Sequence, residues 1–145
     1  MSAAELKVAF YKGTRPGIAG LYNRLGRALD HGPYSHCELV LSDGMSASSS
    51  FMDRGVRIKF IGYSSVDCWD FVTVPQHYEL GARMWFKEHH GQKYDLMGNV
   101  NAMFGFVSHS EDKWFCSESI AAALGLNDPW RYKPNGLMAV LKELE

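Results

Sequence analysis

The chain has 145 residues, of which 46% are apolar and 21% charged, and its formal net charge is −1. This balance is typical of a globular domain with a sizeable core and excludes a disordered chain. The near-neutral charge and the lack of a basic run argue against a protein that binds nucleic acid through a cationic surface. We therefore expect one domain spanning residues 1–145.

The N-terminal residues, the apolar stretches and the cysteines indicate in which cellular compartment the protein is expected. The N-terminal residues lack the basic segment and apolar run of a signal peptide, and no apolar stretch is long enough for a membrane span. The three cysteines, Cys37, Cys68 and Cys116, are an odd number without the paired spacing of a zinc site. We expect reduced thiols, a cytoplasmic location and no metal or other cofactor, with export by phage lysis or a secretion system left open.

The first half of the chain predicts a sheet interrupted by one helix. Alternating apolar residues and turn residues predict about five antiparallel strands, over 6–11, 34–41, 45–52, 55–61 and 69–74. The third strand is rich in serine and is predicted mainly from the hairpin turn at 42–44. After the first strand, Pro16 and Gly17 open a helix that stops at 31–33. One face of this helix is apolar, formed by Ile18, Leu21, Tyr22, Leu25 and Leu29.

The second half predicts helices. One covers 79–90, and the segment 93–113 is irregular apart from one short helix near 96–103. The stretch 114–125 predicts a helix that ends at Gly125, and a last helix follows Asn135, its expected cap. The fold class is therefore α+β, with an antiparallel sheet of about five strands packed against helices.

Cys116 is the first candidate for chemistry because it falls at the start of a predicted helix. Free backbone N–H groups and the helix dipole favour a negative charge there, and the thiolate is the nucleophilic form of cysteine. A small buried cysteine without a chemical role is the ordinary alternative. A nucleophile also needs a base, which the rest of the chain has to supply.

His36 is the candidate base among six histidines because it lies on a predicted strand. Tyr34, His36 and Glu38 share one face of that strand, so Glu38 can orient the imidazole. The returning strand brings Ser48, Ser49 and Ser50 opposite, which makes Ser48 or Ser50 an alternative partner for His36. A solvated strand face is the ordinary interpretation. A metal site with Cys37 is disfavoured, because neighbouring residues on a strand face opposite sides.

The segment Lys93-Tyr94-Asp95 is the third candidate. Its more common interpretation is a turn in which Asp95 caps the next helix. The alternative is that the Tyr94 hydroxyl stabilises an oxyanion. The sequence leaves both open.

These motifs, in this order, resemble the circularly permuted branch of the NlpC-type papain-like cysteine peptidase superfamily. That branch includes bacterial and phage hydrolase-like proteins and, more distantly, lecithin–retinol acyltransferase. The resemblance runs over about residues 34–141 and rests on three short stretches. They are Tyr34-Ser35-His36-Cys37-Glu38, Lys93-Tyr94-Asp95 with Gly98, and Trp114-Phe115-Cys116-Ser117-Glu118.

The resemblance implies a permuted papain-like fold with Cys116 as nucleophile, His36 as base and Tyr94 near the site. The family usually places the third polar residue on the strand after the histidine, where this chain offers only serines, so Glu38 is the other candidate. The implied activity is acyl transfer from a small peptide, amide or acyl substrate, such as a cell-wall peptide. Two alternatives remain: a non-catalytic module that binds a peptide, amino acid or lipid, with Glu38 and Asp95 holding an amine, and a phage structural or assembly protein.

Overall fold

The computed structural model describes residues 4–97, 99 and 112–145, which form a mixed sheet and four α-helices. The strands are β1 Lys7–Tyr11, β2 His36–Val40, β3 Met45–Ser50, β4 Gly55–Phe60, β5 Trp69–Thr73, β6 Lys93–Tyr94 and β7 Lys113–Trp114. The α-helices are α1 Gly17–Asp30, α2 Glu79–His89, α3 Cys116–Ala123 and α4 Pro134–Leu144. Short 3-10 helices cover Val66–Cys68, Gln76–Tyr78 and Pro129–Arg131.

The sheet contains seven strands in the order β5-β1-β2-β3-β4-β6-β7, and only the β6–β7 pair is parallel. The α+β class is confirmed, but the prediction of about five strands, all antiparallel, is wrong. The five predicted strands are present, with ends within two residues of the prediction. β6 and β7 have two residues each, too short for a periodic pattern. The short helix predicted near 96–103 lies mostly outside the described residues.

The core lies between one face of the sheet and the helices α2, α3 and α4. Side chains from alternate strand positions, such as Phe10 and Leu39, pack there against Phe86 of α2, Ile120 of α3 and Leu141 of α4, all fully buried. A smaller cluster on the opposite face contains Ala9, Tyr11 and Trp69. The sheet is thus covered by helices on the face that carries the Cys116 helix.

The serine-rich strand β3 is central and buried rather than exposed. Ser48 and Ser49 are fully buried, and their hydroxyls donate to the carbonyls of Cys37 (2.8 Å) and Trp114 (2.5 Å). A buried hydroxyl is tolerated only when it is hydrogen-bonded, which these are. Small side chains on β3 also let α3 lie close to the sheet, as contacts between these two elements show.

Helix α1 packs in an unexpected orientation. Its buried positions are Gly20, Asn23 and Gly26, whereas Ile18 and Leu21 of the predicted apolar face are 83% and 67% exposed. The periodicity correctly predicts an amphipathic helix, but it does not show which face contacts the protein, and here the apolar face points outward. The face of α1 that contacts the rest of the protein therefore consists of small and polar residues. Hydrogen bonds hold this face in place, including the one that Asn23 donates to Ser35 (2.9 Å).

The predicted ends of the last two helices have different outcomes. Gly125 follows α3 with a φ of 77°, the left-handed conformation that favours glycine after a helix. Asn135 is not the cap of α4, because the helix begins one residue earlier, at Pro134. The Asn135 side chain instead accepts from the Tyr34 N–H (3.1 Å) and donates to the Tyr34 carbonyl (3.0 Å). Within the described ranges, no helix is both long and apolar enough to cross a membrane.

Candidate active site

Cys116 is the first residue of α3, as the sequence predicts, and it is 3% exposed. Ser119 connects the Cys116 backbone to the sheet. Ser119 donates to the Cys116 carbonyl (2.7 Å) and accepts from the Ser49 N–H (3.1 Å), which ties the first turn of α3 to β3. The N–H groups of this first turn have no acceptors within the helix, so they favour an anion beside it.

Glu118 caps the start of α3, a role that the sequence analysis did not predict. Its carboxyl accepts from the Phe115 N–H (3.3 Å) and is fully buried. Burial, with smaller contributions from nearby Asp95 and Cys116, raises the pKa of Glu118 to about 8, against the lowering effect of the Phe115 hydrogen bond. Near neutral pH, Glu118 is therefore largely protonated and adds little negative charge next to Cys116. Its spacing three residues after Phe115 is the sequence signal that could have revealed this capping role.

His36 opens β2 and interacts with both Cys116 and Glu38. Its Nε2 lies 2.8 Å from Glu38 Oε1, which leaves Nδ1 as the ring nitrogen available to the cysteine. Burial alone would lower the pKa of His36. Attraction and hydrogen bonding to the Cys116 thiolate, together with Glu38, reverse this effect and raise the pKa to about 9. The structure therefore brings the predicted nucleophile and base together.

Glu38 is the residue that orients His36, and Arg57 holds Glu38 in turn. Glu38 is 1% exposed, and both of its oxygens accept from the terminal nitrogens of Arg57 (2.7 and 2.5 Å). Arg57 also donates from Nε to Asp53 (2.8 Å). Burial would raise the pKa of Glu38, but Arg57 and His36 lower it below its usual value. The carboxylate is therefore charged and fixed.

Arg57 was not recognised from the sequence, which places it only on the wet face of an alternating strand. In the sheet it lies opposite Ser48, and continuation of the β2–β3 register places Glu38 on the other side of Ser48. The Arg57 side chain thus passes over the small side chain of Ser48 on β3 and reaches Glu38 on β2. Ser48 lies opposite Glu38 rather than His36, and its hydroxyl donates to the Cys37 carbonyl, so no contact among the described residues supports Ser48 as the partner of His36.

Ser50, the other alternative, lines the same cleft as His36 but makes no hydrogen bond to it within the described part of the chain. Of the three candidates, Glu38 is the one whose side chain contacts His36, from the same strand.

Cys37 acts as a second thiol beside the nucleophile. It is fully buried in the core cluster that also contains Cys116. Its thiol donates a hydrogen bond to Cys116 and, with the His36 imidazolium, lowers the pKa of Cys116 well below its usual value against the effect of burial. Burial and the adjacent thiolate raise the pKa of Cys37, so it stays protonated and remains a donor. From the sequence, Cys37 is predicted only to face the core, and its hydrogen bond to Cys116 is not predicted.

Tyr94 lies near the nucleophile, as predicted, and it is joined there by Tyr22 and Asn99. The two phenol oxygens are 2.7 Å apart, and Asn99 donates to both. Burial raises the pKa of both tyrosines, and the Cys116 thiolate raises it further, so both hydroxyls stay protonated. One hydroxyl proton lies between the two rings. The second has no acceptor among the described residues.

Two cavities adjoin this site. A cleft of about 450 Å³ reaches His36 and Ser50 between α1 and the turn after β3. A cavity of about 10 Å³, the room of one water molecule, lies beside Cys116. Helix α1 forms a wall of both, through Tyr22 and Gly26 respectively. Among the described residues, no group of three or more His, Cys, Asp or Glu side chains is arranged to hold a metal ion.

No family model matches the chain, and no curated protein matches it.

The Glu38–Arg57 pair predicts a selective loss of stability. Arg57→Met leaves a buried carboxylate without its main partner and should lower the free energy of unfolding by about 3–5 kcal/mol in urea denaturation. Lys59→Met removes an exposed partner of Asp53 and should cost less than about 1 kcal/mol. Because the folded pKa of Glu38 is lowered, the Arg57→Met effect should be full above the unfolded carboxyl pKa of about 4.3 and shrink as the pH falls below it. Equal losses for the two variants would contradict the account.

The His36–Cys116 pair predicts an unusual pH dependence of alkylation. Cys116 should react with iodoacetamide at a rate that changes less than about twofold between pH 6 and pH 8, because it is already a thiolate. In His36→Ala the rate at pH 6 should fall and then rise about tenfold per pH unit, as for an ordinary thiol. Peptide mass mapping separates the three cysteines and makes the partly exposed Cys68 an internal reference. A Cys116 that reacts no faster than Cys68 at pH 6 would refute the activated thiol.

Proposed function

We propose that this protein is a cysteine hydrolase that transfers an acyl group from an amide or ester to water, with a fold of the permuted NlpC-type papain-like kind. The observation that carries the proposal is the continuous chain of contacts from Cys116 through His36 and Glu38 to Arg57. A nucleophile, a base and a group that orients the base are the parts that covalent acyl transfer requires.

The first half of the reaction forms a thioester. The Cys116 thiolate attacks the substrate carbonyl carbon, and the carbonyl electron pair moves onto oxygen. The Cys116 N–H at the start of α3 and the second hydroxyl proton of the Tyr22–Tyr94 pair are the candidate donors to this oxyanion. When the intermediate collapses, the bond to the leaving group breaks, and the His36 imidazolium gives its proton to the departing amine or alkoxide.

The second half releases the acyl group. Neutral His36 takes a proton from a water molecule, whose oxygen attacks the thioester carbon and forms a second oxyanion. Collapse of that intermediate expels the Cys116 thiolate and a carboxylic acid, and His36 returns to the imidazolium form. Glu38 stays charged throughout, because Arg57 holds it, and stabilises the imidazolium in both halves.

The non-catalytic alternative has less support. In that hypothesis Glu38 and Asp95 hold the amine of a bound ligand. Both Glu38 oxygens already accept from Arg57, one of them also contacts His36, and Asp95 is buried. A role as a phage structural or assembly protein would leave the activated thiol without a purpose. All three cysteines are free, as expected for the proposed location in the reducing cytoplasm.

Trapping the thioester tests the proposal directly. We expect an activated ester, such as a p-nitrophenyl acyl ester, to release nitrophenol in a burst and to leave one acyl group on the peptide that contains Cys116. Cys116→Ala should show neither the burst nor the adduct, and His36→Ala should slow acylation by about 10²-fold or more. Cys68→Ser is the matched control and should behave as wild type. Acylation that survives Cys116→Ala, or none in the wild type, would contradict the proposal.

A further inference from the structure

Helix α1 carries an apolar stripe on its outer surface. Ile18, Leu21 and Leu25 follow one face of the helix and are 83%, 67% and 54% exposed. Isolated exposed apolar residues are ordinary, but three large apolar side chains in a row along one helix face are typical of a surface that binds a partner. The stripe does not pack in the core of this protein, because the opposite face of α1 is the buried one.

The stripe continues around the mouth of the 450 Å³ cleft. Ile18 lines the cleft together with Phe51, Met52 and Leu96, which are 45%, 59% and 40% exposed. Phe51 also stacks on Tyr22, with ring centroids 5.9 Å apart, so the turn after β3 is joined to α1. We name Ile18, Leu21, Leu25, Phe51, Met52 and Leu96 together the apolar ridge.

The segment around α1 is cationic. Residues 12–30 contain four basic residues, Lys12, Arg15, Arg24 and Arg27, and one acidic residue, Asp30, although the whole chain has a net charge of −1. Lys12 pairs with Asp70 and Asp30 pairs with Lys133, so the arginines supply the excess positive charge. Arg24 lies between Leu21 and Leu25 in sequence and is exposed. Over residues 4–97, 99 and 112–145, Arg24 takes part in no ion pair, and Arg15 lies over the Tyr11 ring (5.2 Å to its centroid) rather than beside a carboxylate. An apolar helix face flanked by unpaired arginines is the combination with which amphipathic helices bind anionic lipid surfaces.

We propose that the apolar ridge docks the protein on a membrane surface that carries anionic lipids, with the mouth of the cleft facing the lipid. The ridge side chains enter the boundary between headgroups and acyl chains, while Arg24 contacts the anionic headgroups. The acyl group to be cleaved then enters the cleft from the membrane, which makes lipid-like acyl esters or amides the substrate class. Only this last consequence rests on the proposed hydrolase function.

Sedimentation with lipid vesicles tests the docking. Wild-type protein should sediment with phosphatidylcholine vesicles that contain 30% phosphatidylglycerol, and much less with pure phosphatidylcholine. Leu21→Glu should weaken partitioning by about tenfold or more, because it removes apolar area and adds a negative charge. Arg24→Gln should weaken it by about fivefold, an effect that high salt removes.

Leu80→Glu is the matched control. Leu80 is 72% exposed on α2, outside the ridge, and its substitution should leave vesicle binding unchanged. Cys116→Ala should also bind as wild type, so failure of the catalytic proposal would leave this result standing. No sedimentation of the wild type with the anionic vesicles, or equal losses for Leu80→Glu and Leu21→Glu, would overturn the docking proposal. A vesicle-free dimer that Leu21→Glu dissociates would overturn it too, by assigning the ridge to a second copy of the chain.

Discussion

The buried charge of Glu38 is the constraint on which the rest of the site depends. A carboxylate that is 1% exposed is costly unless its oxygens are paired. Arg57 pairs both oxygens from across β3, and His36 approaches one of them from the same strand. Removing either cation would leave Glu38 incompletely compensated, so the sheet register, the position of Arg57 and the orientation of His36 are fixed together.

This constraint extends to the nucleophile. With Nε2 of His36 held by Glu38, the imidazolium presents its other nitrogen to Cys116, and the attraction favours thiolate over thiol. The thiol and the backbone N–H of Cys37 add two further donors to the same sulfur. The serines of β3 serve the same arrangement in a different way, because Ser49 anchors the first turn of α3 and the small Ser48 leaves Arg57 a path to Glu38.

The sequence predicts those parts of the protein that depend on local patterns. The five longer strands, the start of the Cys116 helix and its end at Gly125 all follow from periodicity, turns and caps. Arg57 could not be predicted, because its partner lies two strands away and depends on the register of two hairpins. The outward face of α1 could not be predicted either, since periodicity shows that a helix is amphipathic but not which face contacts the protein. Strands of two residues, such as β6, have no period to detect.

Glu38 and Cys116 together hold His36 as an imidazolium, and an NMR titration of the His36 ring measures this directly. In wild-type protein the imidazole signals should titrate with a pKa of about 9, well above the ordinary value of about 6.5. Replacement of Cys116 by alanine or of Glu38 by glutamine should each lower that pKa, because each removes one negative charge next to the ring. A wild-type His36 that titrates at about 6.5, unchanged by either substitution, would contradict the account.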